Sequence, residues 1–202
     1  MTPRMEPWKA CAKFELFEGL TGNIAFYHID KENVLYIETI NGESVARTAG
    51  KVRSRGIELD VAGQLTEELS IIASYGFTDA EIIEDPDYAG NSPANVARHT
   101  GSLFLAYDFN NVWGEDKFRL GAGVRAVSKR PGSQINNYDL PGYAVADAFA
   151  AYTFEYEEPI TLQLNLKNIF DKTYYTSSIG TNNLGNQIGE PFQATLSMRV
   201  DF

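Results

Sequence analysis

The segment Gln193-Ala-Thr-Leu-Ser-Met-Arg-Val-Asp-Phe202 alternates polar and apolar residues along its whole length. Because successive side chains of a β-strand point to opposite faces of a sheet, this alternation predicts a strand with one apolar and one polar face. Four other stretches alternate as strictly, and four alternate more weakly: 10–16, 57–62, 117–126 and 160–167, then 22–29, 69–80, 101–109 and 143–154. The sequence therefore predicts an all-β fold of about nine strands.

The connections between the predicted strands are short and long in turn. Short ones lie near 17–20, 63–68, 110–116 and 155–159, and long ones near 33–50, 83–95, 129–142 and 172–191. Strands of about ten residues joined in this way are typical of an outer-membrane β-barrel, with the short turns at the periplasmic side. We therefore expect antiparallel strands, each paired with its sequence neighbour, and no pairing of the first strand with the last.

The alternation also predicts which face each side chain occupies. In a membrane barrel the apolar set points outward to lipid and the charged set lies on the concave face. The outward set includes Leu162, Leu164, Leu166, Leu196, Met198 and Val200, and the concave set includes Arg119, Lys167, Arg199 and Asp201. A soluble β-sandwich or lipocalin-like barrel is the alternative, since its strands alternate too. The regular loop lengths and a terminal Phe202 on the apolar face favour the membrane barrel.

Composition excludes several classes of protein. The net charge of −10 argues against a nucleic-acid partner, because phosphate binding needs a basic surface. A single cysteine, Cys11, excludes an internal disulfide framework, and no apolar run of 18 residues predicts a membrane-spanning helix. Two isolated histidines, His28 and His99, do not predict a zinc site. No grouping of serine, histidine and aspartate suggests catalysis, so we expect neither an enzyme nor a cofactor.

Several stretches resemble the TonB-dependent receptor family, most closely its ferric-siderophore branch. The resemblance runs from about Trp8 to the end of the chain. It is carried by Arg53-Ser-Arg-Gly-Ile-Glu-Leu-Asp60, Gly63-Gln-Leu-Thr66, Tyr75-Gly-Phe-Thr-Asp-Ala80, Leu140-Pro-Gly-Tyr143, Leu164-Asn-Leu-Lys-Asn-Ile-Phe-Asp-Lys-Thr-Tyr-Tyr175 and Gly189-Glu-Pro-Phe192.

The resemblance implies a barrel of about 22 strands whose lumen holds an N-terminal plug, and a segment that engages the TonB energy-transducing complex. Residues 1–202 contain about nine predicted strands and neither of those parts, so we expect a fragment, the C-terminal portion of such a barrel. The implied function is uptake of ferric siderophores across the bacterial outer membrane. Two alternatives stay open: a passive porin or structural outer-membrane barrel, and a soluble β-sheet binding domain.

The predicted outer loops hold Tyr88, Tyr138, Tyr174 and Tyr175 among amide and hydroxyl side chains. Such groups suit recognition of a polar metal chelate by stacking and hydrogen bonding, although interface anchoring or loop packing would also place tyrosines there. The resemblance further implies that Phe202 is a signal to the barrel-assembly machinery, with a role in the interfacial aromatic girdle as the alternative. No residue is predicted to bind a resident metal.

Three further local features carry expectations. Asn168 and Asp171 suit side-chain turns at the end of a strand, and Phe170, Tyr174 and Tyr175 suit an aromatic girdle. Gly56 predicts a close approach of a neighbour or a bulge. The acidic residues Glu81, Glu84, Asp85 and Asp87 are either a solvated loop or a divalent-cation site.

Overall fold

The computed structural model describes residues 4–40, 43–110, 112, 114, 116–155, 157–179 and 182–200, and within 36–49 it describes the backbone only. The predictions made for Asp201 and Phe202 lie outside the described residues. None of the described residues form a helix with the length and apolar character of a membrane span.

Strands dominate the described residues, and one 3₁₀ turn is present. In chain order the elements are β1 (Arg4–Phe17), β2 (Leu20–Ile40), β3 (Glu43–Gln64), β4 (Leu69–Glu84), β5 (His99–Phe109), β6 (Lys117–Val127), β7 (Arg130–Pro131), β8 (Asp139–Leu140), β9 (Tyr143–Phe154), β10 (Ile160–Lys167), β11 (Tyr175–Ser178), the 3₁₀ turn (Asn183–Gly185), β12 (Asn186–Ile188) and β13 (Gln193–Val200).

Nine of the strands form one antiparallel sheet in the order β1-β2-β3-β4-β5-β6-β9-β10-β13. Each strand pairs with the next main-sheet strand along the chain, and β1 and β13 form the two edges of the described sheet. The remaining strands form two small hairpins, β7–β8 and β11–β12, inside long connections. The predicted number of strands and their neighbour pairing are confirmed.

The connections alternate in length as predicted at all but one position. The connections at one end of the strands are 18–19, 65–68, 110–116 and 155–159, and those at the opposite end are 85–98, 128–142 and 168–192. The expectation of a long loop over 33–50 is wrong, because β2 and β3 continue as a paired hairpin to Ile40 and Glu43. Asn33, at a φ of 55°, lies in a bulge of that hairpin rather than in a loop.

The pairing register places most large apolar residues of the nine strands on one face, and Ile72, Phe104 and Phe149 are among the exceptions on the other. Side chains on the apolar face are exposed rather than packed in a core, as shown by Leu196 and Met198, which are 72% and 68% exposed. Leu162 and Leu164 lie opposite these two on the same face. The outward orientation of these four residues is therefore as predicted, and such a large exposed apolar surface needs a partner or a lipid environment.

The opposite face of the sheet carries most of the polar side chains. Arg119, Gln163 and Ser197 lie on it in register with one another through Ala151. Three open cavities of about 580, 450 and 430 Å³ are lined mainly by residues of this face, as expected for the concave side of a curved sheet. Arg119 and Arg199 both line the third cavity, in agreement with their predicted placement.

Glycines let aromatic rings lie flat against the concave face. A Cβ atom at Gly56 would lie 2.1 Å from the Phe77 carbonyl oxygen and 2.7 Å from the Tyr27 hydroxyl. The Tyr27 hydroxyl reaches across Gly56 to the hydroxyl of Thr78, at 3.0 Å. The close approach expected at Gly56 is therefore present, without a bulge at that position.

Two bands of aromatic side chains cross the apolar face. In the first band, near the strand ends that carry the long connections, Trp8 stacks on His28 and Phe77 contacts His99. The other band contains Tyr107, Phe109, Phe118, Tyr152 and Phe154, with ring centroids 4.5 to 5.6 Å apart. Ten residue steps separate His99 from Phe109, about 33 Å along the strand, or about 25 Å in height at a tilt of about 40°. At the strand tilt typical of outer-membrane barrels, the two bands would therefore be separated by about the height of the apolar band, roughly 25 Å.

Candidate functional site

Asparagine side chains join the three long connections, which lie at one end of the strands. The Asn95 amide nitrogen donates to the Ser178 carbonyl at 3.0 Å, and its amide oxygen accepts from the Ser178 N–H at 2.7 Å. The backbone N–H of Asn95 donates to the Pro131 carbonyl at 2.8 Å. One residue with a φ of 64° thus links connections 85–98, 128–142 and 168–192.

A second link joins connections 85–98 and 128–142. The Asn136 amide oxygen accepts from the Ser92 N–H at 3.0 Å, and the Asn136 amide nitrogen donates to the Ser92 carbonyl at 2.8 Å. The Asn91 amide donates to the Gln134 carbonyl at 2.8 Å. A side-chain amide that both donates to and accepts from one backbone residue copies the hydrogen-bond pattern of a β-ladder. It holds the two loops in a single arrangement.

Arg130, in connection 128–142, binds connection 168–192 through its side chain. Its guanidinium is buried, and one nitrogen donates to the carbonyls of Tyr175 and Thr176 at 2.8 and 2.9 Å. The guanidinium carbon lies 5.7 Å from the centre of the Tyr143 ring. A terminal guanidinium nitrogen carries two N–H groups and can therefore donate to two carbonyl acceptors, and the cation is favoured over an aromatic face.

The four predicted tyrosines all lie in these connections, but two of them are committed to packing. The Tyr138 hydroxyl lies 3.0 Å from the Gly132 carbonyl and 2.9 Å from that of Asn182, and it also contacts the Ser178 hydroxyl. The Tyr174 ring is buried 4.5 Å from that of Tyr143, so it does not contribute to an outward aromatic girdle.

Tyr88 and Tyr175 are half-buried, in different connections. The Tyr88 N–H donates to the Asp85 carboxylate at 3.0 Å, and the Asp87 N–H does so at 2.9 Å. Asp85 therefore forms a local turn. Within the part of the chain that the structure describes, no group of three or more histidine, cysteine, aspartate or glutamate residues could hold a metal ion.

Two polar cavities lie at the base of the connections. The first, of about 210 Å³, is lined by Thr78, Asp79, Ala80, Ser92, Val96, Arg98, Lys129, Arg130, Pro131 and Asp139. The second, of about 250 Å³, is lined by Arg125, Asp147, Lys167, Asn168, Tyr174 and Glu190. Charged groups of both signs with hydroxyl and amide donors suit a polar, charged ligand.

Asn168 and Asp171 form the side-chain turns that the sequence predicts. The Asn168 amide donates to the carbonyls of Lys172 and Glu190 at 2.9 and 3.0 Å, and accepts from the Lys172 N–H at 2.9 Å. The Asp171 carboxylate accepts from the Phe192 N–H at 2.9 Å. Both residues adopt positive φ, which asparagine and aspartate tolerate, and they close connection 168–192 onto the sheet.

The loop links through Asn95, Asn136 and Arg130 were not predicted. Each is a single polar residue within a long connection, and its partner lies far away in the sequence, up to 83 residues for Asn95 and Ser178. The available signal was weak, namely asparagines within connections rich in Gly and Pro, where left-handed backbone is common.

Comparison with known proteins agrees with this architecture. A model of the family described as TonB dependent receptor-like, beta-barrel matches residues 12–169. The metal-pseudopaline receptor CntO of Pseudomonas aeruginosa is 36% identical over 200 residues, covering 96% of this chain and 27% of that protein. An uncharacterized TonB-dependent receptor of Haemophilus influenzae is 32% identical over 198 residues, covering 91% of this chain and 56% of that protein.

The fold is shared with a solved receptor. The structure of BauA, the ferric preacinetobactin receptor from Acinetobacter baumannii, superimposes with a TM-score of 0.83 over 98% of this chain and 29% of that one, at 22% identity. This chain thus spans about a quarter to just over half of the length of these proteins.

Proposed function

This chain belongs to the TonB-dependent receptor-like β-barrel family, and we propose that it forms part of an outer-membrane receptor for ferric siderophores or similar metal chelates. One observation carries the proposal. A single-layer sheet exposes an apolar face bounded by two aromatic bands, and at one end of its strands the long connections are hydrogen-bonded to one another around polar cavities. Lipid would cover the apolar face, and the interlocked connections would face the medium that supplies the ligand.

The chemistry of the connections supports a chelate as ligand. Exposed amides, hydroxyls and charged groups surround the cavities, and Tyr88 and Tyr175 each have part of a ring accessible. We assign ligand contact to Tyr88 and Tyr175 first, since Tyr138 and Tyr174 are engaged within the loops. The metal would arrive within the chelate as cargo. CntO, a metal-pseudopaline receptor, supports metal chelates as the ligand class.

Energy for uptake would come from the TonB complex, and insertion would require the barrel-assembly machinery and outer-membrane lipid. A passive porin is the competing function, and energy dependence separates the two. Cells that produce the protein as their sole candidate receptor are supplied with radioactive iron bound to each of a panel of siderophores. We expect saturable uptake of at least one chelate, abolished by a protonophore and by deletion of the gene for TonB.

The same experiment gives the contrary outcomes. Uptake that rises linearly with concentration and survives the protonophore would establish a porin instead. Absence of uptake for every chelate, with the protein verified in the outer membrane, would contradict the proposed ligand class. A variant with Tyr88→Ala and Tyr175→Ala should raise the concentration for half-maximal uptake, whereas Lys117→Gln on the concave face near the short connections should leave it unchanged.

A further inference from the structure

Arg130 places a positive charge inside the loop assembly without a matching carboxylate. The residue is 3% exposed, and its Nη2 atom donates to the carbonyls of Tyr175 and Thr176. Its other terminal nitrogen, Nη1, is buried and has no hydrogen-bond partner among the residues that the structure describes. The Tyr143 ring that faces the guanidinium is neutral. A buried cation with an unsatisfied nitrogen is unfavourable unless an anion pairs with it.

The first polar cavity, of about 210 Å³, lies beside this guanidinium. Its charged lining residues are Asp79, Arg98, Lys129, Arg130 and Asp139. Arg98 pairs with Asp79 at 3.2 Å, and Lys129 pairs with Asp139 at 3.2 Å. Both carboxylates of the cavity are therefore engaged by other cations, and within the described part of the chain neither forms an ion pair with Arg130. Three cations and two carboxylates leave the cavity lining with a net charge of +1.

Charge and size favour a small monovalent anion in this cavity. A water molecule could accept from Nη1, but a neutral molecule would leave the guanidinium charge unbalanced. One negative charge balances the lining, whereas a phosphate group carries about 1.5 to 2 negative charges at pH 7. A water molecule occupies about 30 Å³, so the cavity has room for an ion with part of its hydration shell. The hydroxyl groups of Thr78 and Ser92 line the same cavity and supply further donors.

We propose that this cavity binds a small inorganic monovalent anion, of the class of chloride, with Arg130 as its main ligand. The Nη1 group donates to the anion while Nη2 keeps its bonds to the Tyr175 and Thr176 carbonyls. The anion thereby neutralises the guanidinium that attaches connection 168–192 to connection 128–142, and it stabilises that attachment. The site is structural and does not depend on the proposed transport of chelates.

Chloride NMR measures the binding directly. The full chain is purified in detergent micelles, and the linewidth of the ³⁵Cl resonance, which broadens when chloride exchanges with a protein site, is followed while bromide is added as a competitor. We expect broadening that bromide removes. Arg130→Gln should abolish most of it, because the charge-assisted contact is lost. Arg119→Gln, which removes an arginine from the concave face near the short connections, is the matched control and should leave the broadening unchanged.

Two variants test the charge of the cavity without altering Arg130. The Lys129 and Asp139 side chains are 78% and 50% exposed, and an exposed ion pair contributes little to stability, so either can be neutralised without unfolding the protein. Asp139→Asn raises the lining charge from +1 to +2 and should tighten chloride binding about threefold. Lys129→Gln lowers the lining charge to 0 and should weaken binding by about the same factor. Changes in the same direction, or no change in either variant, would overturn the site.

The parent protein alone provides a second readout. Hydrogen exchange over 175–178 should be slower in sodium chloride than in sodium lactobionate of equal ionic strength, because the lactobionate anion is too large for the cavity. Equal exchange in the two salts, with no broadening that bromide removes, would contradict the proposal. Displacement of chloride by acetate or phosphate at lower concentrations than by bromide would assign the cavity to a carboxylate or phosphate ligand, and would overturn the assignment to a small inorganic anion. Chelate uptake by cells is measured separately, so the proposed function can fail while this site stands.

Discussion

Asn95 and Ser178, 83 residues apart in the sequence, exchange two hydrogen bonds of 3.0 and 2.7 Å in the manner of neighbouring strands. The asparagine side chain takes the place of a backbone strand and closes connection 85–98 onto β11. Because Ser178 also contacts the Tyr138 hydroxyl, the same junction reaches connection 128–142. The three long connections therefore form a single hydrogen-bonded assembly at one end of the strands.

Replacing Asn95 by glycine should loosen this assembly without straining the backbone. Glycine adopts the φ of 64° freely, so the change removes only the side-chain bonds. With a net value of about 1 kcal/mol for each of the two bonds, we expect amide exchange at Ser178 to accelerate about thirtyfold. Hydrogen exchange measured by mass spectrometry over 175–188 checks this. Asn95→Asp keeps the acceptor for Ser178 and should give an intermediate rate, and equal rates in all three proteins would contradict the role of Asn95.

A second prediction concerns the concave face at Gly121. The parallel rings of Phe104 and Phe149 have centroids 5.8 Å apart, and a Cβ atom at Gly121 would lie 2.3 Å from the Phe149 ring. Gly121→Ala should therefore destabilise the fold by about 1–3 kcal/mol through overpacking. Urea titration followed by heat-modifiable gel mobility measures the change.

Two further variants make the Gly121 prediction specific. Adding Phe149→Ala to Gly121→Ala should cost less than the sum of the single changes, because the clash is removed. Gly76→Ala serves as the control, since its Cβ would meet only one atom, the Thr100 hydroxyl oxygen at 2.9 Å, and no aromatic ring. Destabilisation as large at Gly76 as at Gly121 would contradict the ring-packing explanation.

The main sheet could be predicted because its signal is local and repeated. Alternation with period two assigned Leu164 and Leu196 to one face and Gln163 and Ser197 to the other, and the pairing register agrees. The alternation of short and long connections indicated antiparallel neighbours, and each strand does pair with the next main-sheet strand. These features depend on residues close in the sequence, so a single chain reveals them.

The errors have two physical causes. Residues 33–50 were interpreted as a loop because Asn33 and Gly50 are turn-forming residues, yet a bulge accommodates Asn33 and the hairpin continues past it. The loop assembly depends on contacts such as Arg130 with Tyr175, which are distant in sequence and have no period. Tyr138 and Tyr174 are packed within the loops, and the burial of a loop side chain cannot be seen from composition.

A third prediction concerns the ionisation of Asp30, which lies on the hairpin beyond the aromatic band. Hydrogen bonds from Arg53, and then from Lys51, hold the pKa of the Asp30 carboxyl well below its usual range. Because the folded pKa lies below the unfolded value of about 3.9, the ion pairs stabilise the hairpin above that pH. This stability is lost only as the pH falls through the lowered pKa.

The Asp30 carboxyl group should therefore still be ionised at about pH 3.9, where an ordinary aspartate is half protonated. The NMR chemical shift of its carboxyl carbon reports this titration. Arg53→Gln should move the titration upward, toward the ordinary value, because the largest stabilising interaction is lost. Lys51→Gln should have a smaller effect in the same direction. Titration of Asp30 near pH 3.9 in the parent protein would show that the ion-pair cluster does not form.

The last prediction tests the sidedness of the sheet, on which the proposed function depends. Leu164 and Gln163 are neighbours in the middle of β10, and their side chains lie on opposite faces, with Leu164 opposite Leu196 and Gln163 opposite Ser197. An arginine on a lipid-facing strand position costs about 2–4 kcal/mol near the bilayer midplane, whereas a lumenal position tolerates it. Leu164→Arg should therefore strongly reduce the inserted fraction measured by heat-modifiable gel mobility, and Gln163→Arg should change it little.

The two variants have the same charge and nearly the same position, so strand propensity cannot explain a difference between them. If the protein were a soluble β-sheet domain, it would fold without detergent and Leu164→Arg would not affect membrane insertion, because there would be none to measure. An equal loss of insertion in both variants would mean that both faces of β10 meet lipid or protein core, and the concave face could not then line a polar lumen.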